Sequence, residues 1–542
     1  MDRENPGGTG AAVGTRQHDR LKADKTAGRA RALAVLGTGS DVGKSVIAAG
    51  LCRLLARKGI RVAPFKAQNM SLNSFVTADG GEIGRAQALQ AEACGLAPHV
   101  DMNPILLKPE SDQCAQVIVH GKVWGRYEGR RYLEQTRELV RHVRASYERL
   151  ARAYEVLVIE GAGSAAELNL RDRDLANWAV AEFAGASVVL VADIDRGGVF
   201  AQVIGTIELL APQERRRVVG VVVNKFRGDA SLFADGVALL EARTGVPVLG
   251  VLPFLRDLEL DQEDSVERDR YRQTPFTAQA VNVAVTLVPH LSNFTDFNAL
   301  VGECDVALRY AATPSDLAGA DVVVLPGTKN TIADLEHLRS KGFVEALVRH
   351  VARGGELVGI CGGYQMLGRE VSDPCGVEAG GRTPGMGFLD VATELLPDKR
   401  TTQVEARPLL TNVAPDCTVS GYEIHMGLTS RGSVPPGFRI LRRSDEGLSQ
   451  AGRHTEAEDE AADGACREDG LVWGTYIHGV FDRPGFRRQW LNRLRQRKGL
   501  HPLDRSVSEA VTARLRSSLD RWADHLQKHV QVERLFAAVG VG

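Results

Sequence analysis

Unbroken apolar runs recur along the first half of the chain, and most end on a glycine, a carboxylate or an amide. Ala32–Leu36 runs into Gly37, Val156–Ile159 into Glu160-Gly161-Ala162-Gly163, Ser187–Ala192 into Asp193, and Val218–Val223 into Asn224-Lys225. Val248–Leu252 is a further run of this kind. A strand that is apolar throughout needs cover on both faces, and helical patterns lie between the runs. The combination predicts a parallel sheet inside an α/β domain, with ligand-handling residues at the carboxyl ends of the strands. A second block repeats the pattern at Val281–Val288, Asp321–Leu325, Glu356–Ile360 and Leu471–Tyr476. A chain of 542 residues is too long for one hydrophobic core, so two or more domains are expected.

The predicted boundaries follow composition. Residues 1–30 are polar and rich in Gly, Arg and Lys, and read as a flexible tail without a signal peptide. Residues 31–255 form the first domain, and the charged, aperiodic stretch 256–280 is a linker. Residues 281–500 form the second domain, within which 442–470 is acidic and apolar-poor and reads as a loop insertion. Residues 501–542 read as a C-terminal helical segment. A net charge of −1 gives no electrostatic case for nucleic acid or an anionic membrane. No apolar run reaches the roughly 18 residues that span a bilayer. The eight cysteines are scattered, without Cys-x-x-Cys or zinc-finger spacing, which points to a reducing cytoplasm.

Two motifs carry chemistry. Gly37-Thr38-Gly39-Ser40-Asp41-Val42-Gly43-Lys44-Ser45 links the first strand to a helical pattern that Gly59 ends. Its glycines let backbone N–H groups face phosphate oxygens, and the following helix adds its positive end. Lys44 is placed to reach the outer phosphates and Ser45 to ligate Mg²⁺. Five residues separate Gly37 from Gly43, one more than in the common phosphate loop, and Asp41 inside the loop needs a metal or cation to offset it. This longer loop resembles those of dethiobiotin synthetase and the partitioning ATPases. Lys66, after Val62-Ala63-Pro64-Phe65, is a candidate second cation for phosphoryl transfer, or else a surface lysine. Glu160 is a candidate Mg²⁺ carboxylate, and Asn224 a candidate reader of the adenine edge, or else part of a polar turn.

The second motif is Gly359-Ile360-Cys361-Gly362-Gly363-Tyr364-Gln365, a strand–turn–helix that forces the cysteine outward. A thiolate there can attack a carboxamide, giving a thioester and ammonia. His478, at the end of an apolar strand, is the candidate base, with His425 as a rival. Gly362, at the helix start, and Gly327, in Leu325-Pro326-Gly327-Thr328-Lys329-Asn330-Thr331, are oxyanion candidates. A site for ATP and a site that splits an amide, on one chain, fit an ATP-driven amidating enzyme that makes its own ammonia from glutamine.

Longer stretches sharpen this. Pro64-Phe65-Lys66-Ala67-Gln68-Asn69-Met70-Ser71-Leu72-Asn73, Glu82-Ile83-Gly84-Arg85-Ala86-Gln87, Asn103-Pro104-Ile105-Leu106-Leu107-Lys108-Pro109, Asp193-Ile194-Asp195-Arg196-Gly197-Gly198-Val199-Phe200 and Ser292-Asn293-Phe294-Thr295-Asp296-Phe297 accompany the two motifs. With them the chain resembles the cobyric acid synthase family, amidotransferases of cobalamin biosynthesis. The resemblance implies a dethiobiotin-synthetase-like, P-loop NTPase-like parallel-sheet domain followed by a class I glutamine amidotransferase-like α/β domain. It implies amidation of the b, d, e and g carboxylates of adenosylcobyrinic acid a,c-diamide through an acyl phosphate. ATP with Mg²⁺, glutamine and a corrinoid are the implied ligands, with no tightly bound cofactor. By motif, Asp41, Lys44, Ser45, Lys66 and Glu160 would serve ATP, metal and phosphoryl transfer, and Glu82, Arg85 and Gln87 the substrate side. Related glutaminases carry a glutamate two residues after the histidine; here Val480 stands there, so another group must orient His478. Cobyrinic acid a,c-diamide synthase is the nearest alternative. A partitioning-type nucleotide switch and a non-catalytic corrinoid carrier are the alternatives from other classes, and neither accounts for Cys361. The oligomeric state stays open.

Overall fold

The computed structural model describes residues 30–541 except 111–112, 256–257, 259, 261–273, 379, 412, 415–416, 445–460 and 505–510. The apolar runs of the first half become β1 (Arg31–Gly37), β2 (Val62–Phe65), β5 (Val156–Glu160), β6 (Ser187–Asp193), β7 (Val218–Phe226) and β8 (Val248–Pro253), while β3 (Ser74–Val76) and β4 (Glu82–Gly84) form a separate hairpin. The six long strands pair in parallel in the order β8-β7-β6-β1-β5-β2. Leu33–Leu36 and Val156–Ile159 are fully or almost fully buried, as strands covered on both faces must be. Helix α1 (Lys44–Arg57) leaves the phosphate loop directly, and α2 (Arg85–Ala93) follows β4. A further four-stranded sheet, Gln68–Met70, Ile105–Pro109, Cys114–Val119 and Lys122–Glu128, flanks this domain.

The second domain repeats the logic. Strands β9 (Val281–Thr286), β10 (Val306–Ala311), β11 (Val322–Leu325), β12 (Glu356–Ile360) and β16 (Val472–Thr475) pair in parallel in the order β10-β9-β11-β12-β16, and β15 (Ala465–Cys466) adds antiparallel to β16. A separate sheet is built around the long strands β13 (Val391–Pro408) and β14 (Val419–Arg431), which pair antiparallel. Its residues face the first domain across a polar seam. Lys399 Nζ meets Glu82 Oε2, Gln403 Nε2 donates to the Val76 carbonyl at 3.0 Å, and Tyr422 Oη donates to the Ser74 carbonyl at 3.0 Å.

One expectation needs correction. The stretch 442–470 is not one loop: Arg442 and Arg443 end a strand, Ala462–Asp463 and β15 are paired strands, and 445–460 lie outside the described residues. The C-terminal helices do not stand apart. Helix α4 (Pro484–Arg497) packs in the second domain, whereas α5 (Val511–His529) returns to the first and lies against α1. Trp522 Nε1 donates to the Val46 carbonyl at 2.6 Å, and Arg53 pairs with Asp520 at 2.8 Å. Residues 1–29 and most of 256–273 lie outside the described residues. Among the described residues no helix is long and apolar enough to cross a membrane.

Candidate active site

The first centre lies where β1 and β5 end side by side. Gly43 caps α1 with φ +99°, a conformation L side chains resist, and a Cβ there would sit 2.3 Å from Asn224 Nδ2. Asn224 is correspondingly occupied: Nδ2 donates to the Val42 carbonyl at 2.9 Å, and Oδ1 accepts the Lys225 N–H at 2.8 Å. In this arrangement it braces the loop. Lys44 Nζ donates to the carbonyls of Gly39 and Gly163 at 2.8 and 2.9 Å, so the ammonium is held over the loop that Gly37 and Gly39 open. Asp41, at φ +57°, pairs with Arg196 at 3.0 Å, and Lys225 Nζ caps its carbonyl. Arg196 offsets the carboxylate inside the loop, while the ion-pair partner of Lys225 is Asp193, at 2.9 Å.

Glu160 ends β5 fully buried. Its Oε1 accepts Ser45 Oγ at 2.7 Å and Lys66 Nζ at 2.8 Å, and its Oε2 accepts Gln90 Nε2 at 2.5 Å and, more weakly, Gln87 Nε2 at 3.4 Å. Burial alone would raise this carboxyl; the Lys66 ammonium, with the Ser45 and Gln90 hydrogen bonds, holds it below its usual range. Lys66 is therefore no surface lysine. An ionised carboxylate and a hydroxyl, both hard oxygen donors converging at the foot of a phosphate loop, fit a small divalent cation.

The residues expected on the substrate side separate. Gln87 is buried, with Oε1 on Asn69 Nδ2 at 3.1 Å and Nε2 toward Glu160, so it supports that carboxylate. Glu82 is 1% exposed and pairs with Lys108 and Lys399 while accepting Ser74 Oγ, so it bridges the two domains instead of facing a substrate. Its carboxyl is held far below the usual range, the two ammonium groups outweighing its burial. The Arg85 guanidinium stacks over the Phe75 ring at 5.4 Å.

The second centre lies at the end of β12. Cys361 has φ +52° and ψ −111°, a strained pair of angles for a non-glycine residue that the turn imposes. The turn closes because Gly363 has no Cβ; one would lie 2.0 Å from the Leu325 carbonyl oxygen. Helix α3 (Gly362–Met366) begins at once, and the Cα of Gly362 faces the backbone nitrogen of Thr328, where a Cβ would be 3.2 Å away. The Gly327–Thr328 turn and the helix start thus confront each other beside the cysteine, with Gly327 also close to His478.

His478 is fully buried beside the Cys361 thiol, whose Sγ donates to the Ile424 carbonyl at 3.7 Å. Its Nδ1 lies 2.8 Å from Asp296 Oδ2, and Asp296 Oδ1 accepts the Gly479 N–H at 2.9 Å. Burial alone would lower the imidazole; Asp296, and after it the Cys361 thiol, outweigh burial and push it up to about 10. Asp296 thus occupies the place in the triad that Val480 cannot fill. Sequence reasoning missed it because it is 182 residues from the histidine, on a one-turn helix after β9, although Ser292–Phe297 had stood out as a distinctive stretch. His425 is differently engaged. Its Nδ1 donates to the Gly427 carbonyl at 2.8 Å, its ring stacks on Tyr476, and burial pushes it down to about 4.

A cysteine–histidine–aspartate centre on one α/β domain, joined to a phosphate-loop centre on another, defines a glutaminase coupled to a nucleotide-dependent domain. Comparison with known proteins makes this specific. Residues 33–266 match the CobQ/CobB/MinD/ParA nucleotide binding domain, and residues 282–486 the CobB/CobQ-like glutamine amidotransferase domain. A cobyric acid synthase of Syntrophobacter fumaroxidans is 49% identical over 522 residues, covering 95% of this chain and 99% of the relative. One from Klebsiella pneumoniae is 50% identical over 515 residues, covering 93% and 97%, and one from Citrobacter koseri 47% identical over 512 residues, covering 93% and 98%. The chain belongs to the cobyric acid synthase family.

Proposed function

We propose that the chain amidates the b, d, e and g carboxylates of adenosylcobyrinic acid a,c-diamide, using one ATP and one glutamine for each. The observation that carries this reading is the pairing of the two centres, Lys44–Ser45–Lys66–Glu160 and Cys361–His478–Asp296, in one chain of this family. A carboxylate is a poor electrophile, so its oxygen first attacks the terminal phosphorus of ATP, releasing ADP and leaving an acyl phosphate. Lys44 and Lys66 would balance the charge that spreads over the transferred group. Ser45 and Glu160 would hold Mg²⁺, which neutralises phosphate charge when bound.

Ammonia comes from the other centre. His478 takes the thiol proton, and Sγ of Cys361 attacks the glutamine carboxamide. The oxyanion falls between the Gly327 turn and the start of α3. Collapse expels ammonia with the proton returned by His478, and water then releases glutamate from the thioester. Asp296 holds the imidazole with Nδ1–H pointing away from the thiol, leaving Nε2 for proton transfer. Ammonia attacks the acyl carbon, and inorganic phosphate leaves. The reaction needs ATP and glutamine, and its proposed setting is the cytoplasm, where both are abundant.

The test is mass spectrometry of the a,c-diamide incubated with protein, MgATP and glutamine. Four successive carboxylate-to-amide conversions are expected. Conversion of cobyrinic acid at a and c alone, with the a,c-diamide untouched, would replace this acceptor with the earlier one.

A further inference from the structure

We infer that Asn293 is a positioning residue through which the nucleotide-binding domain sets the readiness of His478, so that glutamine hydrolysis waits on the synthetase centre. The inference rests on the function proposed above and concerns how its two centres are coupled.

Asn293 belongs to the second domain, at φ +52°, and is 2% exposed. Its Oδ1 accepts the backbone N–H of Ser74, in β3 of the first domain, at 2.9 Å. An N–H can only donate, so this bond fixes which way the carboxamide faces. Its Nδ2 must then point toward His478, and it lies 3.3 Å from Nε2. In the neutral ring, the form whose Nε2 can accept the thiol proton, Nδ1–H is committed to Asp296 and the Asn293 amide donates to Nε2, whereas in the charged ring the same amide faces Nε2–H and opposes it. In that neutral ring the base's lone pair is engaged by a hydrogen bond whose orientation the other domain dictates, and proton transfer from the thiol has to displace it.

The other end of this connection is equally specific. Ser74 is paired with Gly84 across the β3–β4 hairpin, and β4 runs straight into α2. From that helix Gln87 and Gln90 reach Glu160, the carboxylate beside Ser45 and Lys66. Tyr422, whose ring stacks on His478 at 5.4 Å, donates its hydroxyl hydrogen to the Ser74 carbonyl. Ser74 is thus gripped on its N–H by Asn293 and on its carbonyl by Tyr422, and both grips touch the imidazole. A change in how Glu160 is held, when nucleotide and metal arrive, displaces α2 and the hairpin and moves the Asn293 amide relative to Nε2. Such a device needs differential contacts in two states, and coupling of this kind typically amounts to roughly 5–150-fold.

The experiment measures glutamate release by the full chain with and without MgATP plus the acceptor corrinoid, for wild type, Asn293→Ala and Tyr422→Phe. For the wild type the stimulation ratio is expected within that range, carried in kcat rather than in KM for glutamine. In Asn293→Ala the ratio is expected to fall to about 1, because no amide is left to report the position of Ser74. Tyr422→Phe keeps the ring and removes one neutral hydrogen bond, and is expected to cut the ratio about fivefold. Ammonia-dependent amidation, assayed in parallel, should be unchanged in both variants. A wild-type ratio preserved in both variants would overturn the inference while leaving the function intact. Absence of glutamate release and of amidation in the wild type would instead overturn the function. Asn293→Ala and Tyr422→Phe variants that lose activity equally under both conditions would mark the two residues as structural and also overturn the inference.

Discussion

In the proposed reaction Cys361, His478 and Asp296 divide the work of amide cleavage in a way that single substitutions separate. Cys361→Ala removes the nucleophile from a turn held by its glycines and is expected to abolish glutamine-dependent amidation while retaining synthesis from added ammonium, as paired assays would show. Asp296→Asn keeps the shape but removes the ionised partner of Nδ1, and a fall of about 10²–10⁴-fold in glutaminase kcat is expected. The same variant has a pH signature in stability. The His478 pKa rises on folding from 6.5 to about 10, so Asp296 stabilises the charged ring fully below pH 6.5 and loses that contribution as pH climbs toward 10. Urea unfolding of wild type and Asp296→Asn should therefore differ most below pH 6.5 and converge above 10. The cysteine and the histidine are legible in sequence because each sits in a short motif whose glycines or flanking strand announce a turn. Asp296 carries no local mark of its role, since the strand order of the sheet, not the chain, brings it to His478. The partners of Glu82 and Gln87 are not legible in sequence, because a buried charged or amide residue in a distinctive stretch carries no local mark of what it pairs with.

At the scale of elements, the parallel strands were readable because continuous Val, Ile and Leu runs leave few other readings. The long antiparallel pair β13–β14 was not, since Pro397-Asp398-Lys399-Arg400 interrupts the apolar pattern of β13 and the register shifts between Leu395 and Arg400. Helix α5 was readable as a helix, but not its docking site. Its apolar stripe, Leu515, Leu519, Trp522 and Leu526, is buried with the α1 residues Ile47, Leu51 and Leu54 in one core on the face of the first sheet. Trp522 fills the space left by Gly50, whose Cβ would lie 2.8 Å from its indole nitrogen. Trp522→Ala is expected to cost about 3–5 kcal/mol, from lost burial and the cavity left behind, read by chemical denaturation. Because α1 begins at the phosphate loop, the same variant should weaken ATP binding more than glutamine binding.

Across the whole molecule, the two domains meet at a seam that is polar and buried at once. Lys399 from β13 reaches Glu82, which also holds Lys108, and Lys329, two residues after Gly327, pairs with Glu110 at 3.0 Å. Burial pushes Lys399 down to about 7 and Glu82 opposes that shift, so the ammonium depends on its carboxylate partner. Breaking a buried pair leaves its partner uncompensated, typically at about 3–5 kcal/mol. Lys399→Met should therefore loosen the docking of the domains, and the ratio of glutamine hydrolysed to amide formed should rise above its wild-type value. The central claim is that ammonia made at Cys361 is used at Glu160 and Lys66 of the same chain. Its most direct test is to supply the a,c-diamide with MgATP and amide-¹⁵N glutamine in the presence of excess unlabelled ammonium, and to read isotope content in the product by mass spectrometry. The account predicts ¹⁵N in each new amide. An unlabelled product, or glutamine and ATP consumed with the acceptor unchanged, would contradict it.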